Sequence, residues 1–194
     1  MADGEDKKAG SQTLLNAYVG MMNPAEIVEK QDRNGKPYAV GKFHVTGPDK
    51  VIDVYAFGKN AETLREKAAT GEPFFIQGES LARGTGLSVS SFEPKTYEAT
   101  VVKIYANGSN DYGDWAATRL AIEGMGTEKQ AMLSGKDARA VLAAGEGGKI
   151  SFEGAWKPEL NEQSKKWYSR LVSAESVGRA PRAPAPEDDM APGM

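Results

Sequence analysis

The amino-acid sequence predicts an all-β protein built from two similar five-stranded units, each with one short helix. Two observations predict this class. Runs of β-branched and aromatic residues alternate with polar ones, and the pattern recurs later in the chain. The turn Gly58-Lys59 recurs 77 positions on as Gly135-Lys136, and Gly78 recurs 76 positions on as Gly154. Because both landmarks recur at almost the same distance along the chain, the two halves are predicted to have arisen by duplication.

The order of the elements is the same in both units. In the first unit, strands are predicted near 13–22, 38–46, 50–57, 73–81 and 86–92, with a helix over 59–69. In the second unit, strands are predicted near 97–106, 115–124, 128–134, 149–156 and 166–176, with a helix over about 136–144. Apolar residues three or four apart give each helix one buried face: Ala61, Leu64 and Ala68 in the first, and Ala138, Val141 and Leu142 in the second.

Five strands with one helix between the third and fourth is the order of an OB-fold barrel. The sequence therefore predicts tandem OB-fold five-stranded barrels, the first over 13–95 and the second over 96–177. Residues 1–12 are small and charged, and residues 178–194 are rich in proline and acidic near the end. Both ends are predicted to be disordered because they have little apolar surface to bury.

Composition excludes several classes of chemistry. The 194 residues include no cysteine, one histidine (His44), 24 basic and 27 acidic residues, for a net charge of −3. Disulfides, cysteine-based zinc sites and thiol catalysis are excluded, and no nucleophile motif accompanies His44. We therefore expect a protein that is not an enzyme and needs no cofactor or metal. The N-terminus is polar, and no apolar run approaches the ~18 residues of a membrane span, so we expect a cytoplasmic protein without membrane contact.

Four segments of the first half carry a family resemblance: Asn23-Pro24-Ala25-Glu26, Asn34-Gly35-Lys36-Pro37, 53–62 (Asp-Val-Tyr-Ala-Phe-Gly-Lys-Asn-Ala-Glu) and 71–78 (Gly-Glu-Pro-Phe-Phe-Ile-Gln-Gly). With these segments the first half resembles the bacterial and phage single-stranded DNA-binding protein family over most of its OB domain. The second half resembles it faintly. The duplication is similar to family members with two OB-folds per chain, and this implies a homodimer.

The resemblance also implies where bases would stack. In the family, aromatic side chains on strands 2 to 5 stack on bases, and Phe57 falls on one such position. Its counterpart in the second half is Ser134, which has no ring to stack. The family's aromatic residue between strands 4 and 5 has no counterpart around Arg83. The second half is therefore expected to bind differently or to serve in assembly.

Strand alternation predicts the binding face of the first unit. Tyr55 and Phe57 share a face with Asp53, whereas the aliphatic residues between them face the core. Phe43 is assigned to the core, which places Lys42 and His44 beside this aromatic face. Candidate phosphate contacts are the cations Lys36, Lys42, Lys59 and Arg83. The alternatives are aromatic residues packed under a neighbouring subunit and lysines that are simply solvated.

The second unit has aromatic and basic residues around a polar loop. Trp156-Lys157 and Lys165-Lys166-Trp167-Tyr168 bracket residues 158–164, an arrangement that suits an arm gripping a nucleic-acid strand. At least one of Trp156 and Trp167 is expected to contact nucleic acid, although Trp167 or Tyr168 alternatively belongs to the core. Trp115 and Arg119 are further candidates on the second strand of this unit.

These features predict a sequence-independent single-stranded DNA-binding protein that protects single strands in replication, recombination and repair. Aromatic stacking and basic phosphate contacts would carry the binding. The tail residues Glu187, Asp188 and Asp189 resemble the family's acidic tip, which implies docking of replication or repair proteins. The alternative is an OB-fold scaffold that binds other proteins and no nucleic acid, favoured by the near-neutral charge and by Ser134. An RNA ligand also remains open, because stacking does not distinguish the sugar.

Overall fold

The computed structural model describes residues 14–47, 50–81 and 85–179. The elements of the first half are β1 (Leu15–Met22), β2 (Val28–Gln31), β3 (Pro37–Val45), β4 (Lys50–Phe57), α1 (Lys59–Ala69), β5 (Phe74–Ser80) and β6 (Gly86–Ser91). Those of the second half are β7 (Lys95–Asn110), β8 (Gly113–Ile122), β9 (Lys129–Ser134), α2 (Gly135–Ala144), β10 (Lys149–Asn161) and β11 (Lys166–Ser173). Short 3₁₀ turns lie at Pro24–Glu26 and Ala174–Ser176.

Strand pairing closes both halves into barrels of the same topology. In the first barrel β1 pairs with β3 and β5, and β6 completes the ring by pairing with β5 and, in parallel, with β4. In the second barrel the closed order is β10-β11-β9-β8-β7, again with one parallel pair, between β9 and β11. In each barrel the helix lies between the third and fourth barrel strands. This order confirms the predicted tandem OB-fold class.

Three features of the strands and helices differ from the sequence-based expectation. The strand β2 was not predicted, because all four of its residues are exposed and no alternation marks them. Strands β7 and β10 run beyond their predicted ends to Asn110 and Asn161, where they form hairpin arms with β8 and β11. Leu142, which was expected on the buried face of α2, is exposed next to the fully buried Val141. Adjacent helix residues point about 100° apart, so only Val141 reaches the core.

Each barrel has its own apolar core. Phe43, predicted to be a core residue, is fully buried and makes an edge-to-face contact with Phe74, with ring centroids 5.3 Å apart. Leu64 of α1 closes the same core from one end. The second core contains Leu120, Leu133 and Leu171 of the barrel strands, with Val141 of α2 packed against them.

A third apolar cluster joins the two barrels. Ala17 of β1 is buried with Ala155, Val172 and Val177 from the second half, and Phe75 packs against them. Two hydrogen bonds accompany this contact. The Leu15 amide donates to Ser169 Oγ at 3.0 Å, and the Trp156 amide donates to Gln77 Oε1 at 3.0 Å. Part of the outer surface of β9, β10 and β11 is therefore covered by β1 and β5.

Candidate nucleic-acid interface

The outer face of β3 and β4 is organised in rows of side chains directly opposite one another. Tyr38 faces Phe57, and Val40 faces Tyr55. Residues of β4 that alternate with these, such as Val54, are buried in the core. The predicted division of β4 into an aliphatic inner face and an aromatic outer face is therefore what the structure shows.

Three aromatic rings meet on this outer face. The ring of Tyr38 is stacked on that of Phe57, with centroids 5.1 Å apart and planes 28° apart. The Tyr55 ring lies 6.3 Å from Tyr38. Phe57 is 44% exposed, and both tyrosines are half-buried. We call Tyr38, Tyr55 and Phe57 the aromatic platform. Clustered, partly exposed aromatic side chains of this kind are typical of interaction surfaces.

Sequence reasoning did not identify Tyr38. The signal was present, because Tyr38 has the same parity on its strand as Lys42 and His44, which were both assigned to this face. Its contact with Phe57 depends on the register of β3 against β4, which the structure supplies.

Three exposed lysines surround the aromatic platform. Lys30 of β2 lies directly opposite Tyr38 in the strand ladder. Lys36 comes two residues before Tyr38, and Lys59 comes two residues after Phe57. Within residues 14–47, 50–81 and 85–179, none of the three has an ion-pair partner. Lys36 and Lys59 were predicted contacts, whereas Lys30 was missed together with β2. These three lysines are free to meet an anion.

Two turns fix the backbone at Lys36 and at Lys59. Asp32 Oδ1 accepts hydrogen bonds from the amides of Asn34, at 2.8 Å, and Lys36, at 2.9 Å, which fixes the turn before β3. At the other end, Gly58 has a φ of 57°, a conformation that side-chain-bearing residues rarely adopt. The chain can therefore leave β4 at Phe57 and enter α1 at Lys59 without a linker.

The next row of the same face is occupied by an ion pair. Lys42 lies opposite Asp53, and its ammonium donates a hydrogen bond to Asp53 Oδ1. That hydrogen bond and the charge of Asp53 raise the pKa of Lys42. Further along, His44 Nε2 lies 3.7 Å from Glu26 Oε2. Unlike Lys30, Lys36 and Lys59, Lys42 is paired with a carboxylate in the described structure.

The equivalent face of the second barrel is different. Trp115 of β8 lies opposite Ser134, which is buried and whose amide donates to Ser173 Oγ at 3.0 Å. Met132 of β9 packs in the cluster that joins the barrels. Arg119, a predicted nucleic-acid contact, has Nε 2.9 Å from Glu128 Oε2. Trp115 is half-buried and has no aromatic partner opposite it, so this face does not repeat the aromatic platform.

Trp156, expected in an exposed arm, lies in the core of the second barrel. Its side chain is 8% exposed, and its indole Nε1 donates to Tyr97 Oη at 3.0 Å. The two rings meet edge-on, with centroids 6.4 Å apart. The reason is strand alternation: Trp156 has the same parity as Phe152, which also faces the core. This position offers no ring face to a base.

Lys157, expected as a phosphate contact, points instead at the first barrel. Its ammonium donates to Asn16 Oδ1 at 3.1 Å and to the Ala17 carbonyl, and it lies 4.4 Å from the centre of the Tyr18 ring. Burial lowers the pKa of Lys157 from 10.5 to about 8, with the charge of Lys50 as a second cause. Lys157 is therefore part of the contact between the barrels.

This burial predicts a pH-dependent contribution to stability. Below about pH 8, Lys157 is charged in both folded and unfolded chains, and the cost of burying the ammonium is fully present. Between about pH 8 and 10.5 the folded protein loses the proton first, so stability rises with pH. Relative to Lys157→Met, the wild type should gain about 3 kcal/mol of unfolding free energy from pH 7 to pH 10.5. Urea unfolding at both pH values measures this, and an unchanged difference would contradict it.

The hairpin arm of β10 and β11 keeps three of its predicted contacts exposed, Lys165, Lys166 and Trp167. Trp167 is 53% exposed and lies opposite Leu160, and Lys166 is exposed beside it. Lys165 pairs with Glu162 at 3.0 Å. Tyr168 Oη donates to Glu159 Oε2 at 2.9 Å. Neither Trp167 nor Tyr168 belongs to the core, so Trp167 and Lys166 are the arm's available groups.

The remaining predicted residues lie outside the described part of the chain. These are Arg83 and the tail residues Glu187, Asp188 and Asp189. Across the residues that are described, no group of three or more His, Cys, Asp or Glu side chains is placed to hold a metal ion. In the same residues no helix has the length and apolar character needed to span a membrane.

Comparison with known proteins gives structural likenesses only. No protein-family model and no curated protein sequence matches the chain. The wild-type single-stranded DNA-binding protein of Thermus aquaticus is similar at 12% identity, with 89% of this chain and 96% of that chain covered and a TM-score of 0.38. The p204 HINb domain is similar at 9% identity, with 84% and 100% covered and a TM-score of 0.30. Because these TM-scores are low, the fold assignment rests on the strand pairing described above.

Proposed function

We propose that this chain binds single-stranded nucleic acid, with single-stranded DNA as its principal ligand. The observation that carries the proposal is the aromatic platform on the outer face of β3 and β4, surrounded by three lysines without ion-pair partners in the described structure. The outer face of the second and third strands is where OB-folds bind oligonucleotides.

Each part of the platform has a role in this proposal. Bases stack on the open ring faces of Phe57 and Tyr38, which are stacked on one another, and Tyr55 extends the surface along β4. Stacking contributes about 1–3 kcal/mol per base and tolerates any sequence, because every base has a π-face. Lys30, Lys36 and Lys59 contact the phosphates that flank the stacked bases.

The second barrel contributes to binding through its arm. Its face equivalent to the platform is partly covered by the first barrel and lacks a second aromatic row. Trp167 and Lys166 are exposed at the end of the β10–β11 hairpin and offer one ring and one cation. We therefore propose one aromatic platform per chain, with the arm as an additional contact.

The cellular role that we propose is protection of single strands in replication, recombination and repair. The resemblance of the segments between Asn23 and Gly78 to the single-stranded DNA-binding family supports this role. On the same basis we propose a homodimer and an acidic tail, Glu187 to Asp189, that docks replication or repair proteins. Size-exclusion chromatography with light scattering tests the dimer, and a pull-down with a chain truncated before Glu187 tests the tail.

Binding to poly(dT) across a salt series tests the function. Single strands release about 0.7 counterions for each phosphate contact, so three lysines predict a slope of log K against log salt near −2. Quenching of tryptophan fluorescence that disappears in Trp167→Phe would place Trp167 at the strand. Binding without quenching would restrict contact to the platform. Absence of binding at low salt would overturn the proposal and favour a scaffold that binds proteins.

A further inference from the structure

The ion pair between Lys42 and Asp53 lies on the same outer face of β3 and β4 as the aromatic platform. Along β3 and β4 the opposed pairs follow in order: Tyr38 with Phe57, Val40 with Tyr55, and then Lys42 with Asp53. Successive rows on one face of a strand are about 7 Å apart. Lys42 and Asp53 therefore lie one row beyond Tyr55, within reach of a strand that extends past the aromatic platform.

The ion pair between Lys42 and Asp53 contributes little to the stability of the fold. Both side chains are substantially exposed, at 58% for Lys42 and 36% for Asp53, and exposed ion pairs contribute little to folding free energy. The Asp53 amide donates to the Thr85 carbonyl, at 3.2 Å, which fixes the backbone whatever side chain this position carries. The fold therefore does not depend on the Asp53 carboxylate. Its main effect is the negative charge that it places on the outer face of β3 and β4.

That charge opposes a phosphate in two ways. The Asp53 carboxylate occupies the ammonium of Lys42, so a phosphate must displace it to contact Lys42. The same carboxylate repels a phosphate that approaches the row beyond Tyr55. Among the described residues, no carboxylate pairs with Lys30, Lys36 or Lys59, and all three lie at the other end of the face, near Tyr38 and Phe57.

We propose that Asp53 withholds Lys42 from the nucleic acid and thereby limits the affinity of the platform. The phosphate backbone is thereby confined to the end of the face that carries the three free lysines. Binding then depends more on base stacking than on phosphate contacts, and the bound nucleic acid dissociates readily. This inference rests on the proposed function, because it concerns the same face.

Asp53→Asn tests the inference, since it removes the charge and keeps the shape. The wild type and the variant are titrated with (dT) oligonucleotides by fluorescence anisotropy at several salt concentrations. Loss of one like charge near a phosphate, with release of Lys42, should tighten binding about five-fold at low salt. One additional phosphate contact should steepen the slope of log K against log salt by about 0.7.

Two further variants assign the gain to Lys42. Lys42→Met alone should bind almost as the wild type does, because Lys42 is engaged by Asp53. The double variant Lys42→Met with Asp53→Asn should lose the steeper slope. Glu123→Gln makes the same change in net charge at an exposed position of the second barrel and should leave affinity unchanged. Circular dichroism checks that each variant is folded, and Asp53→Ser replaces Asp53→Asn if that variant does not fold.

The outcomes separate this inference from the proposed function. If the wild type binds (dT) and Asp53→Asn binds no tighter than Glu123→Gln, the inference is wrong and the platform proposal stands. If Lys42→Met weakens binding as much as loss of a platform lysine, Lys42 is already a contact and the inference is wrong. If no variant binds at low salt, the proposed function fails first, and the inference fails with it.

Discussion

Phe57→Ala should weaken binding of (dT) oligonucleotides about 5- to 150-fold at constant salt, the equivalent of losing about 1–3 kcal/mol of stacking. Phe57 is the most exposed ring of the aromatic platform, and its stacking partner Tyr38 would lose its support at the same time. The side chain lies outside the core, so the barrel should keep its stability. Anisotropy titrations measure affinity, and thermal unfolding checks the fold.

Tyr105→Ala is the matched control for this variant. Tyr105 is 47% exposed, carries a lysine beside its ring, with Lys103 Nζ 5.5 Å from the ring centre, and lies on β7 of the second barrel. It should leave affinity unchanged, because it is not part of the platform. Equal losses in the two variants would show that binding does not depend on the platform. An unchanged affinity in Phe57→Ala would remove the stacking proposal.

Trp156→Ala should lower the unfolding free energy by about 3–5 kcal/mol, because it leaves a large cavity in a close-packed core. It also leaves Tyr97 Oη without the indole N–H that it accepts from. Burial raises the pKa of the Tyr97 hydroxyl, and the hydrogen bond from Trp156 opposes this rise. Urea unfolding followed by circular dichroism measures the loss without depending on tryptophan fluorescence.

Trp167→Ala is the comparison within the same hairpin. Trp167 is 53% exposed, and its removal should change the unfolding free energy by less than about 0.5 kcal/mol. If Trp167 contacts the strand as proposed, its loss should weaken (dT) binding instead. A small effect of Trp156→Ala on stability would contradict the core position of Trp156.

Strand alternation explains why the first barrel's face was predictable. The separation of Tyr55 and Phe57 from Val54 and the burial of Phe43 follow from a two-residue period that neighbouring residues alone establish. The helices were predictable for the same local reason, from apolar residues three and four apart. The strand β2 was not, because four exposed residues carry no alternation, and Lys30 was missed with it.

The β10–β11 hairpin arm shows that local sequence patterns alone do not predict which of its residues are exposed. Trp156 and Lys157 were expected to face solvent because aromatic and basic residues near a polar loop suggest a binding hairpin. The hairpin exists, but β10 runs to Asn161, so the exposed part begins only after these two residues. Trp167 and Lys166, nearer the end of the hairpin, are exposed.

The sequence by itself determined the two OB-folds, the order of their barrel strands and helices, and the aromatic outer face of β4, because each depends on the spacing of nearby residues. Only the tertiary structure decided that Tyr38 stacks on Phe57, that Asp53 engages Lys42, and that the second barrel turns one face toward the first. The contact of Lys157 with Asn16 joins residues 141 positions apart. Such contacts follow from how two barrels pack, and no local period encodes that packing.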